Sequence, residues 1–162
     1  MDLFWIAPSL AVASRPRGGD WLDDEMADLR RQGVDVVVSC LTTSEEIELQ
    51  LTEEVASAAR HGIAFVRAAM EDRGTPSSRS AVEQVVERIS DGRTSGQGVV
   101  IHCRQGLGRA PLIAAATLVR SGMSPDDAWT LIADRRTRPV PDTDEQREWI
   151  RAFAGRGPAD SG

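Results

Sequence analysis

Short apolar runs alternate with amphipathic stretches along this chain. Residues 3–6 and 10–13 are apolar and of strand length. Residues 21–31 carry apolar positions at helical spacing, and Gly33 follows as a stop signal. The run Val34-Asp35-Val36-Val37-Val38 is β-branched and reads as a strand covered on both faces. Residues 44–60 predict one helix ended by Gly62, 63–67 a strand, and 68–77 a loop rich in charge, Gly and Pro. Ser80-Ala81-Val82-Glu83 has the spacing of a capping box, for a helix reaching about residue 90. After a glycine-containing connection at 91–98 comes the short core strand 99–101. Residues 109–120 are apolar nearly all round, so that helix is expected to be buried. Ser124-Pro125 and Thr143 each open a further helix. Strands alternating with helices predict a single α/β domain with a mainly parallel sheet flanked by helices. Residues 1–154 are taken as that domain and 155–162 as a flexible polar tail.

Composition narrows the class. The 162 residues suit one domain, and 41% hydrophobic content is enough for one core. A formal charge of −6 gives no overall attraction for nucleic acid or an anionic membrane, so neither is expected as a partner. Any anionic substrate must then be met by a local positive field. No apolar run is long enough to span a bilayer. Asp2 and Pro8 argue against reading the apolar start as a secretory signal. Two cysteines make no disulfide framework, which fits a reducing cytoplasm.

The chemistry sits at the end of the strand 99–101. His102 and Cys103 lie where open α/β sheets bind ligands. Gly106 and Gly108 permit a tight loop with inward N–H groups, and that loop runs into a helix N-terminus that favours an anion. Arg109 at that terminus is suited to bidentate contact with two phosphate oxygens. The same field is expected to ionise the Cys103 thiol and make it a nucleophile. A carboxylic acid must overhang such a cradle to protonate a leaving group. The loop Met70-Glu71-Asp72-Arg73-Gly74-Thr75-Pro76 is the best source.

The segment His102-Cys103-Arg104-Gln105-Gly106-Leu107-Gly108-Arg109 resembles the His-Cys-x5-Arg signature of the cysteine-dependent protein tyrosine and dual-specificity phosphatase superfamily. The acid loop is similar to the Asp-x-Gly-x-Pro loop of its compact members, the type of the cyclin-dependent-kinase-associated phosphatase. The resemblance implies phosphate monoester hydrolysis through a phosphocysteine on Cys103, of phosphotyrosine proteins, other phosphoproteins or small phosphate esters. Arg109 and the loop residues Arg104, Gln105, Gly106, Leu107 and Gly108 then bind phosphate, with Asp72 as the acid and Glu71 the fallback. His102 supports the loop. No metal or cofactor is implied, and a monomer is expected.

The stretch 135–149 is similar to the closing Arg-Pro and Thr-x-x-Gln segment of these enzymes. Gln146 then either helps place the hydrolytic water or merely completes a capping box. Arg15 and Arg138 are further cations for the mouth. The lipid-phosphatase branch has a resolving cysteine in a position like that of Cys40, which otherwise reads as an inert core residue. One departure stands out. The Ser or Thr that follows the arginine in this superfamily is Ala110 here. Its hydroxyl assists release of the cysteine sulfur, so slower breakdown of the phosphocysteine is expected. A phosphate-binding module with little turnover is the alternative reading. A rhodanese-like sulfurtransferase fits less well, since the commonest rhodanese loop has four residues between its Cys and Arg, and Cys103 and Arg109 enclose five.

Overall fold

The computed structural model describes residues 1–156. Five strands form one sheet: β1 (Phe4–Ala7), β2 (Leu10–Ala13), β3 (Val34–Ser39), β4 (Ala64–Arg67) and β5 (Gly98–His102). Their order is β1-β2-β5-β3-β4, with β1 antiparallel to β2 and every other pairing parallel. The described residues also form seven helices: α1 (Leu22–Arg31), α2 (Thr43–Glu48), α3 (Glu54–Arg60), α4 (Arg79–Thr94), α5 (Arg109–Arg120), α6 (Pro125–Arg136) and α7 (Asp144–Gly155). A 3-10 turn at Gly19–Trp21 leads into α1. The α/β architecture with a mainly parallel sheet is as the sequence predicts. Among the described residues no helix is long and apolar enough to cross a membrane.

Both faces of the sheet are covered, which explains why β3 and β5 read as continuous apolar runs. Val36, Val38, Val99 and Ile101 pack on one face with residues of α4, α5, α6 and α7. Val34, Val37 and Val100 pack on the other with Leu22, Met26, Leu29 and Ala58 from α1 and α3. Helix α5 lies wholly inside the first layer, with Leu112 and Ile113 inaccessible to solvent. The parallel register sets Ala13 and Ser39 on either side of His102. The loop after β5 therefore leaves the middle of the sheet at its carboxyl edge, supported from both sides.

Three expectations change. The helix expected over 44–60 is two helices, because Gln50 takes a left-handed φ of 58° and turns Leu51 into the core. The Gln50 N–H donates to Ile47 O and the Leu51 N–H to Glu46 O at 2.7 Å, which closes α2 with a Schellman motif. Helix α4 is capped by Ser78, whose hydroxyl accepts from the Ala81 N–H, not by Ser80. It also runs on to Thr94, because Gly96, with φ +83°, is its stop and Gly92 lies inside it. Gly155, placed in the tail by the sequence, is the last residue of α7; the rest of that expectation, from 157 on, lies outside the described residues.

Leu112 is buried among the residues of α4, α6 and α7. Leu112→Ala should lower unfolding free energy by about 3 kcal/mol, read as a lower urea midpoint at unchanged slope.

Candidate active site

Most carbonyl oxygens from His102 to Gly108 are held from outside the loop. His102 O accepts from the Cys40 N–H at 2.9 Å, and Arg104 O accepts from the Arg15 N–H at 3.2 Å. Arg136 donates through Nη2 to Gln105 O at 3.0 Å and through Nε to Gly106 O at 3.2 Å. Gly108 O accepts from the Leu112 N–H at 2.9 Å, inside the first turn of α5. With those carbonyls turned outward, the amides face the opposite way. The Gly106 N–H donates to Cys103 Sγ at 3.2 Å. The N–H groups of Arg104, Gln105, Leu107 and Gly108 have no protein partner among the described residues. Pro111 lies in the first turn of α5, where a missing N–H costs nothing. The result is a ring of free donors at a helix N-terminus, around a thiol that is 3% exposed.

Two glycines make this geometry possible. Gly106 has φ +74°, and a Cβ there would sit 2.8 Å from Ala13 C and O. At Gly108 the reason is space alone. A Cβ there would collide with Asp142 Oδ2 and lie 3.0 Å from Gln146 Nε2.

Arg109 is 1% exposed and is held by several acceptors. Its Nη1 donates to Glu45 Oε1 at 2.6 Å and to Met70 O at 2.9 Å, while Nη2 donates to Glu45 Oε2 at 3.0 Å and Asp72 Oδ1 at 3.2 Å. Burial works against the guanidinium charge, but the Glu45 hydrogen bonds together with the charges of Cys103, Glu45 and Asp72 outweigh it and raise the Arg109 pKa above its ordinary value. Burial likewise opposes ionisation of Glu45, and Arg109 with the Thr42 N–H still holds that carboxyl below the usual range. The guanidinium is thus fixed by a bidentate carboxylate, with Asp72 sharing one of the two nitrogens.

A cavity of about 120 Å³ opens above the sulfur, lined by Asp72, Arg73, Cys103, Gln105, Leu107, Arg109 and Asp142. Of the sequence candidates it brings together Cys103, Arg109, Asp72, Gln105 and Leu107. Glu71 is exposed and does not line it. Arg104 turns aside to pair with Glu48 at 2.9 Å. Arg15 supports the loop through its backbone, and Arg138 makes no contact with the cavity. Gln146 is fully buried over Gly108; its Oε1 accepts from the Thr143 N–H in a capping box and its Nε2 donates to Gly74 O at 3.0 Å. It ties the acid loop to the start of α7.

His102 and Cys40 flank Cys103. His102 Nε2 is 2.6 Å from Glu54 Oε1 and Nδ1 is 3.3 Å from Cys103 O. Two acceptors facing two ring nitrogens are both satisfied only by the doubly protonated ring. Burial alone would lower the His102 pKa, but the Glu54 charge and hydrogen bond raise it. Cys40 follows Ser39, the register partner of His102, so it stands beside Cys103. Both thiols are free, and burial followed by the Cys103 charge pushes the Cys40 pKa well up.

Four residues in or behind the site were not singled out from sequence: Glu45, Glu54, Arg136 and Asp142. A signal for Glu45 existed, since Thr42-x-x-Glu45 forms a capping box at the carboxyl end of β3. Asp142 adjoins the Thr143 cap. Glu54 and Arg136 reach the loop only through tertiary packing, and no local pattern marks them.

Residues 11–123 match a family described as Tc-R-P, the DSP-PTPase phosphatase of polymorphic toxin systems. The chain is similar to protein tyrosine phosphatase type IVA 3 of Bos taurus, 30% identical over 118 residues that cover 71% of this chain and 62% of that protein. Against the Homo sapiens protein of the same name the identity is 31% over 112 residues, covering 67% and 59%. The chain therefore spans about three-fifths of the length of these relatives. Among solved structures it resembles Tk-PTP in its active form, with TM-score 0.82 and 24% identity over 96% of this chain and 97% of that one. It also resembles kinase-associated phosphatase carrying a serine at its catalytic cysteine, with TM-score 0.82 and 18% identity over 94% and 92%. At these identities the two structures establish a shared fold.

The raised His102 pKa predicts a pH-dependent stability. The contribution of its proton is complete below the ordinary histidine value of about 6.5 and is lost as pH rises through the higher folded value. The stability advantage of the wild type over His102→Gln should shrink as pH rises above about 6.5, measured by urea unfolding at several pH values. A difference that stays flat or grows with pH would contradict the charged ring.

Proposed function

The chain belongs to the DSP-PTPase phosphatase family, and from that membership we propose that it hydrolyses phosphate monoesters through a phosphocysteine on Cys103. The observation that carries this reading is the ring of unpaired N–H groups facing a buried thiol beside a fixed guanidinium. In it the sulfur attacks phosphorus in line, the ester bond breaks, and the leaving oxygen takes a proton from Asp72. Loop amides and Arg109 stabilise the three peripheral oxygens. Asp72 sits on Arg109 Nη2 at 3.2 Å, so a phosphate that takes that nitrogen displaces the acid from the guanidinium and frees it for proton transfer. Water then attacks the phosphocysteine and returns the sulfur.

The size of the cavity bears on the substrate. About 120 Å³ is well below the roughly 300–1,000 Å³ of pockets that enclose a whole ligand. The phosphoryl group enters and the organic part stays at the rim, which supports phosphotyrosine proteins together with other phosphoproteins and small esters as substrates. Residues 1–154 are the catalytic domain in this reading, acting as a monomer in the cytoplasm, where its free thiols persist. The second reading, a binding module with little turnover, rests on Ala110, which is buried in the first turn of α5 and brings no hydroxyl to the sulfur.

With a chromogenic aryl phosphate and EDTA present, the wild type should turn over and Cys103→Ser should not. Asp72→Asn should lower turnover at least about tenfold, most for poor leaving groups. Phosphate binding without turnover in the wild type would favour the binding module. Because Cys40 adjoins Cys103, mild peroxide should remove two hydrogens from the intact mass of the wild type but not of Cys40→Ser. No such loss in the wild type would make Cys40 an inert core residue.

A further inference from the structure

We propose that Arg136 is a positioning residue for phosphate, a guanidinium behind the loop that aims and polarises the two amides on either side of Gly106. This role rests on reading the loop as a phosphate cradle and concerns how its donors are held. Arg136 lies in the last turn of α6, beyond the residues matched to the family. It is half-buried and does not line the cavity.

The arginines around the loop are used differently. Arg104 pairs with Glu48 and Arg109 with Glu45. Arg136 instead directs the Nε–Nη2 edge of its guanidinium at two consecutive backbone carbonyls, Gly106 O at 3.2 Å and Gln105 O at 3.0 Å. Each carbonyl shares a planar peptide unit with an N–H that points the opposite way. The unit with Gln105 O also holds the Gly106 N–H, which donates to Cys103 Sγ at 3.2 Å. The unit with Gly106 O also holds the Leu107 N–H, one of the free donors of the ring. A charged donor on a carbonyl draws electron density from the amide, so the N–H opposite becomes a stronger donor. The cation outside the loop is thereby coupled through two peptide units to an anion inside it.

The place of the guanidinium is fixed from the other side as well. Its Cζ lies over the Phe4 ring of β1, 4.1 Å from the centroid. The planar fork holds both oxygens at once, which the compact ammonium of a lysine does not. Gly106, with φ +74°, is the turn that lets the two units bring their N–H groups to one side. Burial, followed by the Arg138 charge, lowers the Arg136 pKa, while the charges of Cys103 and Asp2 favour the cation. An arginine stays protonated throughout the working range, so the attraction to Cys103 is always present. Ala110 brings no hydroxyl to the sulfur, which makes the amide polarised by Arg136 the more important donor to it.

Inorganic phosphate is the probe, titrated by calorimetry and used as a competitive inhibitor of aryl phosphate hydrolysis, with urea unfolding measured on the same samples. Arg136→Met should weaken phosphate binding at least about tenfold and lower kcat/KM with it. Arg136→Lys keeps the charge against Phe4 but loses the fork, so its affinity should fall between those of the wild type and Arg136→Met. It is also the variant to read if Arg136→Met does not fold. Arg135→Met, one residue away and exposed, should bind phosphate as the wild type does. If the Arg136 variants unfold at lower urea but bind phosphate with wild-type affinity when folded, Arg136 merely anchors α6 and the proposal is overturned. An equal loss in Arg135→Met overturns it too, because the effect is then one of bulk charge. A wild type that binds phosphate without hydrolysing esters sinks the phosphocysteine reading alone, and the calorimetry still decides on Arg136. A wild type that binds no phosphate overturns both.

Discussion

A peptide unit cannot turn its carbonyl one way without turning the next N–H the other, and the site depends on that constraint. Five oxygens along the loop are claimed from outside: by Cys40, Arg15 and Leu112 through backbone N–H groups, and by Arg136 through its side chain for two of them. Buried polar groups left unpaired are costly, so once these acceptors are satisfied the loop has little freedom to rotate its amides away. The free donors are the residue of that accounting. They need an anion, and the chain supplies none of its own to them. A structure that hydrogen-bonds its carbonyls so thoroughly and leaves consecutive amides open is organised before any ligand arrives.

The positive field is local because the protein as a whole is acidic, with net charge −6. Arg109 is the cation that faces the cavity from a buried position, and Glu45 neutralises much of it at 2.6 Å. Burying an ion pair of this kind adds little stability, since desolvation cancels most of the attraction. Its effect is geometric. A bidentate carboxylate on one side of a planar guanidinium fixes which nitrogens remain for a ligand. Glu54 does the corresponding work behind Cys103 by fixing the His102 ring against the Cys103 carbonyl. Two acids remote in sequence from the loop they support, neither of which touches the cavity, thus define what the basic side chains can do.

Legibility in the sequence followed the range of the forces involved. Helix α5 was read at its exact limits because an apolar run between a glycine loop and Ser121-Gly122 is locally decided. Cys103, Arg109 and the two glycines were legible for the same reason: strand, turn and helix start are contiguous. The break between α2 and α3 was not, since Gln50 occupies the left-handed position of a Schellman motif that glycine usually fills. There burial of Leu51 overrode local preference. Arg136 shows the same limit at the site. Arg136 is one of two arginines in the last turn of α6, with no local pattern to distinguish it, and only the packing of α6 against β1 carries it to the loop after β5.

Asp142 shows how a steric fact and an electrostatic one combine. Gly108 has φ −129°, a value any residue can adopt, so its lack of a side chain is not a conformational need. The space it leaves is filled by a carboxylate oxygen and an amide nitrogen from the start of α7. That packing puts a carboxylate on the wall of the cavity that Cys103 and Arg109 also line, a place any larger residue at 108 would have kept it out of.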